Sequence, residues 1–251
     1  MEIAASSRSP RWPAKAWVMT NMEQEATRLK ITGPTMCHRR VTDSKQSEAL
    51  GSNDSLRSKL PNFNFPLSID RSESVAVGKW YCLFMFVKEG MKLKKQMKKS
   101  VFYELTLLQS WEKIFSKENG DSGEETNVLV DVIVQTQVAK VVGKEAVWDE
   151  NGVDENRVVW FKGFNDVGAE SVGLSVEIVE GMKWEQEKVG WIAGNGRQVR
   201  VERVEEFGGI NKWRKFGCYV LVETFVFKRM DGRWVLTYDF RHTHQIRYKW
   251  V

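Results

Sequence analysis

Proline is absent from residue 67 to the end of this chain, although five prolines lie before that point. The first 55 residues are polar and show no sustained hydrophobic period, which is typical of a segment that cannot bury a core of its own. From residue 56 onward, aromatic and β-branched residues begin to alternate with polar ones, as they do in strands. The sequence therefore predicts a disordered or loosely attached tail over residues 1–55 and a single β-rich domain over residues 56–251.

Cysteine is scarce, and the three present, Cys37, Cys82 and Cys218, are an odd number without paired spacing. This disfavours a disulfide framework and favours a reducing intracellular compartment, with the cytoplasm as the first expectation and the nucleus as an alternative. Serine and basic residues near the start are compatible with a plastid or mitochondrial transit peptide, which is a further alternative. Because there is no run of about 18 apolar residues, we expect no transmembrane segment.

A clustered excess of positive charge is also lacking in the predicted domain. The formal net charge is +5, but residues 1–60 contribute +4 of it and residues 61–251 only +1. Since duplex binding needs clustered cations that release counterions, the sequence carries no strong nucleic-acid signal. One lysine run is open to two interpretations, contact with an anionic surface such as a membrane or a solvated loop. Its lysines are Lys92, Lys94, Lys95, Lys98 and Lys99.

Alternating apolar and polar residues dominate the predicted domain, and turns rich in Gly, Asn and Asp separate the alternating segments. One helix is predicted near residues 107–117, because Thr106 and Gln109 have the spacing of a capping box and apolar residues recur after them at helical intervals. The expected fold is α+β, β-dominated and antiparallel, with the strand order left open. The strand-like segments before the last hairpin are residues 78–89, 126–142, 157–164, 171–184 and 197–207.

The C-terminal stretch GCYVLVETFVFKRMDGRWVLTYDFRHTHQIRYKW predicts a long hairpin. Asp231 and Gly232 are the residues most favoured in a type I′ turn, and long alternating segments flank them. That turn places both His242 and His244 on one aromatic face, with Glu223 diagonal to His242. The predicted cross-strand pairs are Phe227 with Leu236, Phe225 with Tyr238, Glu223 with Phe240, Leu221 with His242, and Tyr219 with His244.

Glu223, His242 and His244 are the candidate functional residues. Two histidines and a carboxylate are a ligand set used for nonheme iron or, with an open position, for zinc. His242 with Glu223 is alternatively an acid and base pair. The interpretation that we favour is structural, a half-buried and hydrogen-bonded histidine pair in an aromatic layer.

No glycine-rich phosphate loop and no nucleophile elbow accompanies these residues. We therefore assign no catalytic residue, no cofactor and no metal. The leading functional expectation is a non-enzymatic β-rich interaction module whose partner is left open, with a protein as one option. Two alternatives stay open, a metal-dependent or acid/base enzyme that uses His242, His244 and Glu223, and a β protein that associates with a membrane surface.

From about Leu56 to its end the sequence resembles a plant-specific family known as domain of unknown function 1262 (DUF1262). The segments that carry the likeness include VGKWYCLFMFVKEG, QMKKSVFYELTLLQSWEKIFS, WRKFGCYVLVETFVFKRMDG and LTYDFRHTHQIRYKW. The resemblance implies a plant source and no particular reaction, because the family has no assigned activity or site. Family members are longer, so this chain resembles a shortened member with an atypical N-terminus, which raises the question whether its β-rich domain is complete.

Overall fold

A computed structural model describes residues 51–82, 86–88, 103–120, 125–149, 158–165, 168–209 and 212–251. The described residues form twelve strands and two helices, α1 (Asp54–Arg57) and α2 (Val176–Glu187). The strands are β1 (Gly51–Ser52), β2 (Val75–Cys82), β3 (Phe86–Lys88), β4 (Tyr103–Glu118), β5 (Asn127–Gln135), β6 (Gln137–Val141), β7 (Lys144–Trp148), β8 (Val158–Asn165), β9 (Gly168–Ser175), β10 (Gln198–Glu206), β11 (Lys215–Arg229) and β12 (Trp234–Trp250). Every strand pairing is antiparallel, so the predicted β-dominated, antiparallel α+β fold is confirmed.

Ten strands form one sheet in the order β1-β2-β4-β11-β12-β6-β7-β8-β9-β3. Strands β2 and β3 lie near opposite ends of this order, although only residues 83–85 separate them in the chain. Four residue steps span at most about 14 Å, so the two ends of the sheet lie close together and the sheet curls back on itself. The main core lies on one side of this sheet and includes Ile178, Val179 and Met182 of α2 together with aromatic residues such as Phe161 and Tyr238.

Strands β4, β11 and β12 are the longest and form a three-stranded spine of 16, 15 and 17 residues. A separate two-stranded sheet of β5 and β10, here called the ribbon, covers one face of the far half of the spine. The segment between α1 and β2 covers the other face, where Phe63 contacts Trp111 and Tyr219 edge to face at centroid distances of 5.3 and 5.4 Å. One half of the spine therefore belongs to the curled part of the large sheet. The other half lies between two layers, the ribbon on one face and the segment between α1 and β2 on the other.

The helix predicted near residues 107–117 is wrong, because these residues lie within strand β4. Leu107, Gln109 and Trp111 alternate along one buried face, with exposed fractions of at most 2%. A strand that neighbours cover on both faces carries apolar residues at nearly every position, and such a run matches a helical period by chance. Thr106, the predicted cap, instead donates its hydroxyl to Glu104 Oε1 at 3.3 Å.

The one longer helix lies where the sequence predicted a strand over residues 171–184. Strand β9 ends at Ser175, whose side chain accepts a hydrogen bond from the Ile178 amide at 3.4 Å and caps α2. Ile178, Val179 and Met182 are buried at helical spacing. The predicted segment therefore combined the end of one strand with the start of a helix.

The C-terminal hairpin is confirmed, but its turn differs from the predicted type. The Gly232 amide donates to the Arg229 carbonyl and the Arg229 amide to the Arg233 carbonyl, both at 2.8 Å. A type I′ turn requires positive φ at both central residues. Gly232 has φ of +84°, but Asp231 is not among the described residues with positive φ. The loop is thus a three-residue turn that ends in a left-handed glycine, and Asp231 Oδ1 accepts from the Arg233 amide at 2.9 Å.

Four of the five predicted hairpin pairs are confirmed, from Phe227 opposite Leu236 to Leu221 opposite His242. The fifth is wrong, because Tyr219 lies opposite Arg247. Residues 243–245 bulge out of β12 between the Leu221 and Val220 pairs. An insertion of three residues is odd in number, so it moves the even-numbered residues after it to the other face of the sheet, where Ile246, Tyr248 and Trp250 pack toward the ribbon.

Ordered elements occur before the predicted boundary at residue 56. Strand β1 pairs with β2, and the Asn53 amide donates to the Val77 carbonyl at 2.7 Å. Residues 1–50 lie outside the described residues, and so does the lysine run with Lys92, Lys94, Lys95, Lys98 and Lys99. Among the described residues, neither helix is long and apolar enough to cross a membrane.

Candidate functional site

A buried group of polar side chains lies on the same face of the spine as the main core, next to the C-terminal half of α2. We call it the polar cluster, and five different elements supply its members. All are at most 5% exposed. They are Arg57 of α1, Gln109 of β4, Glu185 and Gln186 of α2, Glu223 of β11 and His242 of β12.

Glu223 is the centre of the polar cluster and is held by two donors. Arg57 binds it with both Nε, at 2.7 Å from Oε1, and Nη2, which contacts Oε2. Gln109 Nε2 donates to Oε1 at 2.8 Å. Burial acts to raise the pKa of the Glu223 carboxyl, but the hydrogen bond and charge of Arg57, with help from His242 and Gln109, outweigh burial and lower it. Glu223 is therefore ionised and bound at neutral pH.

His242 is neutral at that pH. Burial is the main reason that its pKa is lowered to about 4, and it outweighs the attraction of Glu223, whose charge Arg57 already balances. His242 Nε2 lies 2.8 Å from Gln186 Oε1 and 3.9 Å from Glu223 Oε2. Because an amide oxygen only accepts, the neutral ring donates a proton from Nε2 to Gln186.

Arg57 connects α1 to three other elements of the fold. Besides Glu223, its guanidinium donates to the Glu185 carbonyl at 3.1 Å and lies 3.6 Å from Glu185 Oε2. Its own carbonyl accepts from Gln109 Nε2 at 3.2 Å. Since a buried guanidinium needs carboxylate partners, α1 is fixed to the spine and to α2 by this side chain.

His244 lies at the exposed rim of the polar cluster, in the bulge of β12. Its ring centroid is 5.4 Å from that of His242, and the two rings meet edge to face. Gly190, with φ of +87°, lies directly beside it, because a Cβ atom there would stand 3.2 Å from His244 Nε2. The bulge therefore turns His244 toward the loop that follows α2.

The structure thus brings Glu223, His242 and His244 together, as the sequence predicted, but not as a metal centre. A zinc or iron ion needs free donor atoms at about 2 Å, whereas both oxygens of Glu223 contact Arg57 and His242 Nε2 contacts an amide. Nowhere in the described part of the chain do three His, Cys, Asp or Glu side chains form a group suited to a metal ion. The residues present do not fit the ligand set that the sequence left open as an alternative.

We expect zinc or iron(II) to leave the thermal unfolding midpoint of the purified protein unchanged. An ion that bound the folded state alone would raise the midpoint by mass action, since ligand at about 100 times its Kd adds about 2.7 kcal/mol. Differential scanning calorimetry with and without each ion measures this. A rise that His242→Gln abolishes would contradict the geometry.

Sequence reasoning missed Arg57, Gln109, Glu185 and Gln186 as partners of the candidate residues. Arg57 lay next to the predicted tail, and its contact with Glu223 spans 166 positions of sequence. Gln109 was the one residue whose position in the sequence could have indicated a buried polar cluster. Once β4 is read as a strand, a polar amide stands between Leu107 and Trp111 on an apolar face, and a buried amide requires a polar partner.

Comparisons with known proteins give little information about function. No protein-family model matches the chain, and no curated protein matches it. Among solved structures the chain is similar to the crystal structure of Cry35Ab1, with a TM-score of 0.40 and 10% sequence identity over 87% of this chain. This chain covers 54% of that one, so it spans about half of its length. We draw no functional conclusion from a likeness at this level.

Proposed function

We propose that this chain is a non-enzymatic β-rich interaction module that acts through its surface, and that it belongs to the plant family DUF1262. The observation that supports the proposal is the commitment of Glu223 to Arg57 and Gln109. The carboxylate beside the two histidines is thereby a structural ion rather than a free base or ligand. The polar cluster therefore stabilises the fold, and we assign the function to the outer surface.

The outer face of the ribbon is the surface that suits a protein partner. Leu129, Ile133 and Val204 point away from the spine and are 57%, 64% and 62% exposed. Leu129 and Val204 lie directly opposite each other across the two strands. Next to them Arg200 donates two hydrogen bonds of 2.6 Å to Asp131. Exposed apolar side chains with polar groups at their rim are a feature of protein interaction sites.

A reducing intracellular compartment is part of the proposal. Cys218 is a free and fully buried thiol, and burial raises its pKa to about 12. A protonated thiol inside a core is unreactive and needs no disulfide partner. The membrane-surface alternative depends on Lys92, Lys94, Lys95, Lys98 and Lys99, outside the described residues, and it stays a prediction.

Site-specific photocrosslinking tests the proposed surface. A photoreactive amino acid in place of Ile133 should yield a discrete crosslinked species in cells. We expect Leu129→Lys with Val204→Lys to abolish that species, because two buried charges without partners cost an interface several kcal/mol. Met230→Lys is the matched control, since Met230 is 60% exposed at the distant hairpin turn. Equal crosslinking in the double variant and in wild type would exclude this surface.

A further inference from the structure

The last part of β12 has one edge that no described strand pairs with. Strand β6 pairs with residues 236–240 of β12, on the side away from β11. After the bulge at residues 243–245, β11 is the one described strand that still pairs with β12, over residues 246–250. These five residues are half-buried or exposed, whereas residues 216–220 of β11 opposite them are all buried. We call the open side of residues 246–250 the β12 edge.

The hydrogen-bonding pattern shows which backbone groups point out of the β12 edge. The amides and carbonyls of Lys215 and Val251 bind each other at 2.9 Å in both directions. Hydrogen-bonded pairs alternate with other pairs along an antiparallel ladder, so Arg247 and Lys249 also direct their backbone groups toward β11. The residues between them point their N–H and C=O groups outward, where no described residue binds them. These residues are Ile246, Tyr248 and Trp250.

One face beside the β12 edge is apolar and aromatic. Ile246, Tyr248 and Trp250 pack partly buried against the core beneath the ribbon. The Trp250 ring lies 5.3 Å from that of Phe207, between ring centroids. Because these side chains are only half-buried, apolar surface remains uncovered along the edge, and an added strand would cover it.

The other face beside the β12 edge is positively charged. The Arg247 guanidinium lies over the Trp111 ring at 4.9 Å and over the Phe63 ring at 5.6 Å. The Lys249 ammonium lies 3.8 Å from the centre of the Phe65 ring and donates to the Phe65 carbonyl. Neither cation forms an ion pair with a described carboxylate. Aromatic rings and a carbonyl hold the two charges in place, but nothing described neutralises them.

We propose that the β12 edge binds an extended peptide in which apolar and acidic residues alternate. The peptide adds to the sheet as an antiparallel strand, and its hydrogen-bonding residues lie opposite Ile246, Tyr248 and Trp250. Residues that lie opposite each other share a face, so these peptide positions carry the apolar side chains. The two positions between them lie opposite Arg247 and Lys249 and carry the carboxylates. This interaction goes beyond the proposed function, because it uses a strand edge and leaves the outer face of the ribbon available.

The charge pattern favours such a peptide over a second copy of the chain. Antiparallel pairing of all five edge residues with their own copy requires a two-fold axis at Tyr248. That axis would place Arg247 of each copy against Lys249 of the other, and opposed like charges destabilise a strand pair. Cations on an open edge are a known protection against self-pairing. The same two cations attract an acidic strand and select it over a basic one.

Fluorescence polarisation with synthetic peptides tests the proposal. The probe is a fluorescein-labelled peptide that contains VEVEV, and a peptide of equal length with VKVKV is its matched control. Wild-type protein should bind the VEVEV peptide at least about tenfold more tightly, because two attractive cross-strand pairs become repulsive in the control. Equal affinity for the two peptides, or no binding at about 1 mM VEVEV peptide, overturns the proposal.

Methylation of the peptide backbone separates strand addition from simple charge attraction. A methyl group on the amide of the central valine removes the donor to the Tyr248 carbonyl and places a methyl group between the strands, so binding should be lost. A methyl group on a glutamate amide, which points away from β12, should leave most of the affinity. The proposal fails if the two methylated peptides bind equally well.

Charge reversal at the β12 edge should exchange the peptide preference. Arg247→Glu with Lys249→Glu should lose affinity for VEVEV about tenfold or more and should bind VKVKV instead. Arg233→Glu with Lys144→Glu is the matched control, since it changes the net charge equally at exposed residues near the other end of the spine, and it should bind as wild type does. A reversed variant that is folded by circular dichroism and keeps the wild-type preference contradicts the proposal. Crosslinking through position 133 should persist in it, so the two proposed surfaces fail separately.

Discussion

Glu223→Gln lowers the free energy of unfolding by about 3 kcal/mol in urea denaturation, because it leaves the Arg57 guanidinium buried without its main carboxylate. Arg57 is 5% exposed and Glu223 1% exposed, so water cannot replace the lost charge. Glu185, with Oε2 at 3.6 Å from Arg57, compensates in part and keeps the loss near the lower end of the usual range. We expect the urea midpoint to fall with little change in slope.

Two comparisons separate the buried ion pair from a general effect of removing charge. Glu118→Gln, which breaks an exposed pair with Lys215, should leave the urea midpoint nearly unchanged. Arg57→Met combined with Glu223→Leu should lose much less stability than the sum of the single changes, because no unpaired charge is left inside. If Glu223→Gln unfolded at the same urea concentration as Glu118→Gln, the polar cluster would not be the structural element that we describe.

Acidification should destabilise the protein between about pH 6.5 and pH 4 through His242. Its pKa is lowered from 6.5 to about 4 in the folded protein, so the unfolded chain takes up this proton first as the pH falls. Its contribution to stability is complete above pH 6.5, decreases as the pH falls, and is lost once the pH passes the folded pKa near 4. The full loss is about 3 kcal/mol.

Urea midpoints measured at several pH values reveal this titration. His242→Gln should flatten the dependence above pH 4.5, because an amide still donates to Gln186 but takes up no proton. His244→Gln is the control, since that ring is exposed, and it should keep most of the wild-type dependence because burial is the main cause of the lowered pKa of His242. Below pH 4.5 both variants should still lose stability, because the lowered pKa of Glu223 acts in the same direction. A His242→Gln variant with the wild-type dependence would assign the acid sensitivity to another group.

Local pattern was sufficient to predict that antiparallel strands dominate the fold and to predict most of the hairpin. From Leu221 to Phe227 of β11 the predicted register is the observed one, because alternation fixes which side chains share a face. The predicted register is wrong from Tyr219 onward, because no residue type in the sequence marks the three-residue bulge in β12. The turn type was also missed, although Asp231 and Gly232 do lie in the turn.

Long-range contacts account for the larger errors. Strand β4 was mistaken for a helix because residues on both of its faces are buried over its first half, and the sequence shows the apolar residues but not the neighbours that bury them. The helix α2 was hidden because Ser175 ends one strand and caps the helix within a continuous apolar pattern. Glu223 and His242 were correctly placed side by side, but the partner that decides the role of Glu223 is Arg57, which no local signal connects to them.

The position of β4 in the sheet also has a consequence for synthesis of the protein. Its two ends pair with Lys215 and Arg229, about a hundred residues later in the chain, so β4 stays uncovered on that side until β11 has left the ribosome. Over that interval Leu105, Leu107 and Trp111 form an apolar strand with an open edge. The order of translation thus leaves an apolar edge open during synthesis, and we expect the yield of folded protein in a cell to rise with chaperones that bind extended apolar segments.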